Sequence, residues 1–160
     1  MKNSILFLTL TLTLLFAACT PSCDQDYPEG MDLDDADAKQ VVMRGIDVVS
    51  CYTGTAAQGN DAIFSTNNGV KFLFSSQSNK ALFDSNPEKY MPGAGGYCIV
   101  AAALGKVEDV DNKHFEVYNG KLYFNRNKKA HGIWKKDREK WTTRGESMWP
   151  CLVAKNGRKI

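Results

Sequence analysis

Residues 115–124 read FEVYNGKLYF, and this stretch decides the fold prediction. The Asn119-Gly120 pair tolerates the positive φ angles of a type I′ turn, and such a pair between apolar runs is the strongest short-range signal for a β-hairpin. In this register Phe115 faces Phe124, and a second apolar pair lies on the same face of the ribbon. An isolated hairpin is marginal in water, so we expect a helix to cover that face.

The same pattern occurs 51 residues earlier, where Phe64 corresponds to Phe115 and Asn68-Gly69 to Asn119-Gly120. A helical pattern follows each hairpin, around residues 78–85 in the first case and from residue 130 to residue 141 in the second. Self-similarity at a fixed offset indicates repeated supersecondary units. We therefore predict an α+β fold in which two β-hairpin-plus-helix units share one core after a disordered tether.

Residues 1–18 are predicted to form a signal peptide, because Lys2 precedes a 14-residue apolar run that is too short to span a membrane. Two alanines before Cys19 resemble the lipobox of bacterial lipoproteins. The resemblance implies cleavage before Cys19, lipidation of its thiol, and a membrane partner through that anchor. Because Thr20 rather than aspartate follows Cys19, it also implies the bacterial cell envelope and favours the outer membrane. An ordinary signal peptide with an incidental cysteine is the alternative.

The remaining chain divides into a lipidated acidic linker (19–40), a folded domain (41–155) and a short tail (156–160). The linker carries seven acidic residues against Lys39 and shows neither helical nor strand periodicity, which indicates a solvated spacer. A calcium site is the alternative for its aspartates, but the glycine and the distal glutamate of a calcium loop are missing. Those aspartates are Asp32, Asp34, Asp35 and Asp37.

The charges are unevenly distributed along the chain. The net charge of +2 excludes a histone-like polycation, yet residues 121–160 carry 12 basic and 3 acidic residues, and residues 19–120 carry 7 and 15. A basic segment of this kind forms a solvated helix face or contacts anionic lipid or a protein partner. The three tryptophans have the spacing of a core, so we expect no nucleic-acid partner.

Several short motifs together resemble YHS-domain proteins, with exported single-domain members as the nearest type. The resemblance covers about residues 45–150 and implies a domain related to the metal-handling modules of copper-transporting ATPases and heavy-metal sensors. It therefore implies binding of a metal or small ligand. The motifs are Gly45-Ile46-Asp47-Val48-Val49, Phe64-Ser65, Asn86-Pro87-Glu88-Lys89-Tyr90, Gly95-Gly96-Tyr97-Cys98, Gly120-Lys121-Leu122-Tyr123 and Trp149-Pro150.

The chain departs from the metal-handling branch at every thiolate position. In that branch one cysteine follows an Asp-Pro-Val stretch, and two more, four residues apart, bracket the end of a hairpin strand; such thiolates suit Cu(I) or zinc. Here those positions hold Ser50, Ser75 and Asn79, and Ser65 replaces the histidine of the family name. The resemblance thus carries over the fold and the ligand expectation without the soft-metal site of that branch.

Four cysteines remain once Cys19 is lipidated, and an even number in an oxidising compartment favours disulfides, with Cys51, Cys98 and Cys151 as candidates. Buried unpaired thiols, a reactive thiol, and a copper or zinc site of Cys51 and Cys98 with His114 or His131 are the alternatives. No Cys-x-x-Cys pair exists, which argues against thioredoxin-like chemistry.

No serine–histidine–aspartate set or pair of catalytic carboxylates stands out, so we expect a protein that is not an enzyme. The leading hypothesis is an envelope lipoprotein whose YHS-like domain binds a ligand, such as a transition metal, near Cys98. The alternative is a disulfide-bridged structural or interaction lipoprotein without a metal site, whose basic helix contacts lipid or another envelope protein. A thiol redox protein is the third hypothesis.

Overall fold

The computed structural model describes residues 42–68 and 70–155. The predicted α+β class is confirmed, because two antiparallel hairpins are combined with several helices. The signal peptide, Cys19, the linker with its aspartates, the tail and Gly69 lie outside the described residues. Within the described ranges, no helix is both long enough and apolar enough to cross a membrane.

Each unit has the same order of elements. A left-handed turn comes first, followed by a short helix, a hairpin and a longer helix. The first unit consists of the turn Val42–Gly45, α1 (Val48–Cys51), β1 (Asn60–Asn67), β2 (Val70–Phe74), α2 (Gln77–Ser85) and α3 (Pro87–Tyr90). The second unit consists of the turn Gly93–Gly96, α4 (Ile99–Ala103), β3 (Phe115–Tyr118), β4 (Lys121–Phe124), α5 (Lys128–Lys136) and α6 (Arg138–Lys155).

The 51-residue offset holds in the backbone and extends further than the sequence match, which began at Phe64. The two left-handed turns, the helices α1 and α4, and the helices α2 and α5 each begin 51 residues apart. Phe64 pairs with Leu73 in the first hairpin, and Phe115 pairs with Phe124 in the second. Asn68 and Asn119, at the two hairpin turns, both have a φ of 50°.

The symmetry does not extend to burial. Phe64 is 45% exposed, with the Lys71 ammonium 4.5 Å from its ring centroid, whereas Phe115 is half-buried against Phe124.

The helical pattern expected to run through Trp141 is interrupted, because Asp137 has a φ of −156° and separates α5 from α6. The helices of the second unit therefore pack at a corner rather than in one line.

The predicted shared core consists of two hydrophobic clusters joined through β4. The first cluster contains α1, the aromatic residues of β2 and Phe83, and the second contains α4 with Trp134 and the C-terminal part of α6. Successive side chains of a strand point to opposite faces. Leu122 and Phe124 accordingly belong to the first cluster and Tyr123 to the second, so β4 holds the two units together.

Candidate functional site

A groove of about 560 Å³ lies where the two units meet. The turn of the first unit supplies Arg44 to its lining, and the segment before β3 supplies residues 108–113. Pockets of about 300–1,000 Å³ are typical of small-molecule sites. The lining residues are Met43, Arg44, Ile46, Gln58, Glu108, Asp109, Val110, Asp111, Asn112, Lys113, Phe124 and Arg126.

The groove is lined by three cationic and three anionic side chains. The Arg44 guanidinium contacts the Asp109 carboxylate, and Arg126 Nη1 lies 2.8 Å from Glu108 Oε2. Both arginine side chains are at least half exposed. Exposed ion pairs contribute only about 0–1 kcal/mol to stability, so a ligand can replace the carboxylate partners at small cost.

Arg44 occupies a backbone conformation that favours glycine. Its φ of 55° and ψ of 28° match those of its counterpart Gly95, at 58° and 19°. The Gln58 side-chain amide donates to the carbonyl oxygens of Arg44 and Gly45, at 3.1 and 3.2 Å, and so holds the turn in place. A non-glycine residue in this region costs on the order of 1–3 kcal/mol, and such residues cluster at functional sites. The arginine is therefore present for its side chain rather than for the turn.

Both histidines of the sequence lie close together in the second unit. The ring centroids of His114 and His131 are 5.9 Å apart. His114 Nδ1 lies 3.4 Å from a carboxylate oxygen of Asp111, and His131 Nδ1 lies 3.3 Å from the side-chain nitrogen of the buried Asn125. Burial lowers the pKa of His131, which favours the neutral imidazole that binds metals. Because His131 Nδ1 faces the Asn125 amide, Nε2 is the nitrogen of that ring left for a ligand, whereas His114 Nδ1 is buried without a hydrogen-bond partner among the described residues.

The three positions that carry thiolates in the metal-handling branch are neighbours in space, and all three contact Asp47. The Oδ2 atom of this fully buried carboxylate accepts hydrogen bonds from Ser75 N (2.8 Å), Ser75 Oγ (2.6 Å) and Asn79 Nδ2 (2.7 Å). Its Oδ1 atom accepts from Val49 N (2.9 Å) and Ser50 N (3.1 Å) at the start of α1. The carboxylate thus binds three chain segments together, namely the start of α1, residue 75 after β2, and α2.

The two free thiols do not form a common site. Cys51 belongs to the first cluster and Cys98 to the second, and both are buried. Burial, followed by the nearby Asp47 charge, raises the pKa of Cys51 to about 12, so this thiol stays protonated at neutral pH. It is therefore unsuited to act as a thiolate ligand or nucleophile. Cys98 Sγ lies 4.0 Å from the Asn125 side-chain oxygen, which places it near the histidine pair.

The predicted bridges among Cys51, Cys98 and Cys151 are wrong for the first two residues, because both are free thiols buried in separate clusters. Cys151 is disulfide-bonded, so for this residue alone the prediction of a bridge agrees with the structure. The tentative metal set of Cys51, Cys98 and His114 is not assembled either. Within the described ranges, no group of three or more histidine, cysteine, aspartate or glutamate residues is placed to hold a metal ion.

Sequence reasoning did not identify the groove residues Arg44, Glu108, Asp109 and Arg126. The offset of 51 places Arg44 on Gly95, but the side chains N-terminal of Phe64 differ too much between the two units for the match to be visible in the sequence. No protein-family model, curated protein or solved structure matches the chain. Functional inference therefore depends on the chemistry of these residues.

Proposed function

We propose that this chain is a non-enzymatic lipoprotein of the bacterial cell envelope whose YHS-like domain binds a small polar ligand in the groove between its two units. The observation that carries the proposal is Arg44, held in a left-handed turn where the other unit has glycine, with its guanidinium in the groove. Arg126 lines the same groove. Arginine forks match carboxylate and phosphate groups, so the ligand is expected to carry an anionic group.

The envelope location and the family are supported by separate observations. The apolar run that ends at Cys19 supports lipid anchoring. The spatial convergence of Ser50, Ser75 and Asn79 on Asp47 supports the YHS resemblance, because these positions would adjoin one another in a related metal-handling domain. Their polar side chains favour a ligand other than a thiolate-bound metal.

Ligand binding is tested by thermal-shift screening of small carboxylates, phosphates and amino acids, followed by calorimetry on any compound that stabilises the chain. The variant R44G removes the guanidinium and keeps a backbone that Gly95 already adopts, and R126Q removes the second cation. We expect each variant to weaken binding at least tenfold without lowering Tm. The matched control, K71Q, changes a lysine outside the groove. Wild-type affinity in both R44G and R126Q would refute the groove as the site.

Lipid anchoring is tested by cell fractionation of the C19S variant. We expect the wild-type chain in the membrane fraction and C19S in the soluble fraction, because the thioether cannot form on serine. Membrane association that is unchanged in C19S contradicts the anchor.

The histidine pair favours a second candidate function, which is binding of a copper or zinc ion. His114 and His131 would supply two nitrogen ligands, and the contact of His131 Nδ1 with Asn125 would orient that ring. The test is metal analysis of the purified chain together with Cu²⁺ and Zn²⁺ titration. We expect the metal to be lost in H114Q and in H131Q and retained in C51S, since Cys51 lies in the other cluster. Metal content that is equal in the wild type and both histidine variants refutes this candidate.

A further inference from the structure

Helix α5 presents four lysines on one exposed face. Lys128, Lys129, Lys135 and Lys136 are all exposed, and at 3.6 residues per turn they lie within an arc of about 120°. The opposite face carries the buried Trp134. Lys135 Nζ lies 3.9 Å from Glu116 Oε2, and the other three lysines make no ion pair with the part of the chain that the structure describes. We call these four residues the lysine face.

The corresponding helix of the first unit shows that the fold does not require the lysine face. Helix α2 begins 51 residues earlier, has the same length and packs its buried Phe83 where α5 packs Trp134. At the positions of the four lysines, α2 has Gln77, Ser78, Asp84 and Ser85. Like charges on one helix face are destabilising. Four lysines on α5 therefore serve a purpose outside the packing of the unit.

We propose that the lysine face docks onto anionic lipid headgroups of the membrane to which the chain is anchored. The docking deepens the proposed function, because it rests on the lipid anchor at Cys19. Residues 20–41 cannot carry the start of the folded domain further than about 75 Å from that anchor at about 3.4 Å per residue, so the lysine face stays at a high local concentration near the bilayer. Juxtamembrane lysines strengthen binding to anionic lipid about fivefold each.

The neighbouring charges fit this occupant. Helix α6, which follows α5, carries the further exposed cations Lys140 and Arg144. The seven acidic residues of the linker oppose its own adsorption to an anionic membrane, which leaves the lysine face as the attractive contact. The linker is itself the competing occupant, and the experiment separates the two.

The test is vesicle co-sedimentation of the mature chain carrying C19S, which removes the lipid anchor, with phosphatidylglycerol-containing and pure phosphatidylcholine vesicles. We expect binding to the anionic vesicles alone, lost at high salt. The variant K128Q/K129S/K135Q/K136S introduces the α2 residues at three of the positions and glutamine at the fourth, and should bind at least tenfold more weakly. Circular dichroism verifies that this variant is folded.

Two matched controls separate the lysine face from charge in general. Replacing the same four lysines with arginine should retain binding, and the variant K71Q/K80Q/K89Q/K106Q, which neutralises four lysines of other elements, should bind like the wild type. The proposal is overturned if anionic vesicles are not bound, if both neutralised variants lose binding equally, or if binding appears only after residues 20–41 are deleted. Because the chain under test has no anchor, failure here is distinct from failure of the C19S fractionation.

Discussion

Replacing Asp47 with asparagine should destabilise the domain severely, although the two side chains have nearly the same shape. The carboxylate accepts five hydrogen bonds, and Oδ2 receives three of them from Ser75 and Asn79. An amide can keep the two bonds at Oδ1, but its nitrogen would face donors. The Ser75 hydroxyl can rotate and the Asn79 amide can flip so that both accept, which leaves one conflict between donors, at Ser75 N. An unsatisfied donor of this kind costs about 1–3 kcal/mol, so we expect a loss of about 2 kcal/mol.

Urea unfolding monitored by tryptophan fluorescence measures this loss, since Trp134 is fully buried in the native state. With a slope of about 1–3 kcal/mol per molar urea, a loss of about 2 kcal/mol in D47N should lower the midpoint by about 0.7–2 M. The matched control is D84N, because Asp84 is exposed and pairs with Lys80 on the same helix, where a loss below about 1 kcal/mol is expected. If D47N costs no more than D84N, the carboxylate does not hold the three segments together and the argument fails.

Three further predictions concern packing, pH and the disulfide. The variant G145A should lower the free energy of unfolding in urea by about 1–3 kcal/mol, because the new Cβ would collide with Ile99. The control G132A adds a Cβ in open space and should stabilise α5 by about 0.5–1 kcal/mol. Equal effects of the two variants would contradict the packing of α6 on α4. Burial lowers the pKa of His131, so the unfolded chain binds the imidazole proton more tightly than the folded chain does. The free energy of unfolding should therefore fall as the pH drops below about 6.5, and H131Q should reduce this pH dependence between about pH 6.5 and 5. An unchanged pH dependence in H131Q would contradict the lowered pKa of His131. If the proposed thioether forms at Cys19, non-reducing peptide mapping should find Cys23 joined to Cys151, because Cys51 and Cys98 are free thiols and Cys19 would carry no thiol. An alkylatable Cys151 contradicts this pairing.

The hairpins and their helices were predictable because their signals are local. An Asn-Gly turn determines the strand register next to it, so the pairing of Phe115 with Phe124 followed from the sequence. The duplication was predictable from Phe64 onwards, where aromatic residues and turns coincide. Its N-terminal part was not, because Asp47 corresponds to Cys98 and Arg44 to Gly95, and such different side chains conceal an equivalent backbone.

The site was not predictable, because its residues come from segments that meet only when the units pack. Arg44 and Asp109 are 65 positions apart in the sequence, and no local pattern connects them. The cysteine prediction failed for the same reason, since counting thiols cannot show that Cys51 and Cys98 are buried in different clusters.

By itself, the sequence determined the class of the fold, the repeat and the register next to each hairpin turn, because turn chemistry and hydrophobic periodicity act over a few residues. The irregularity in β1 that pairs Asn60 rather than Ile63 with Phe74 was not predictable from these signals. Only the tertiary structure decided which side chains share a site. The groove, the histidine pair and the Asp47 network each depend on how β4 joins the two clusters, and the burial that creates them is a property of the packed chain.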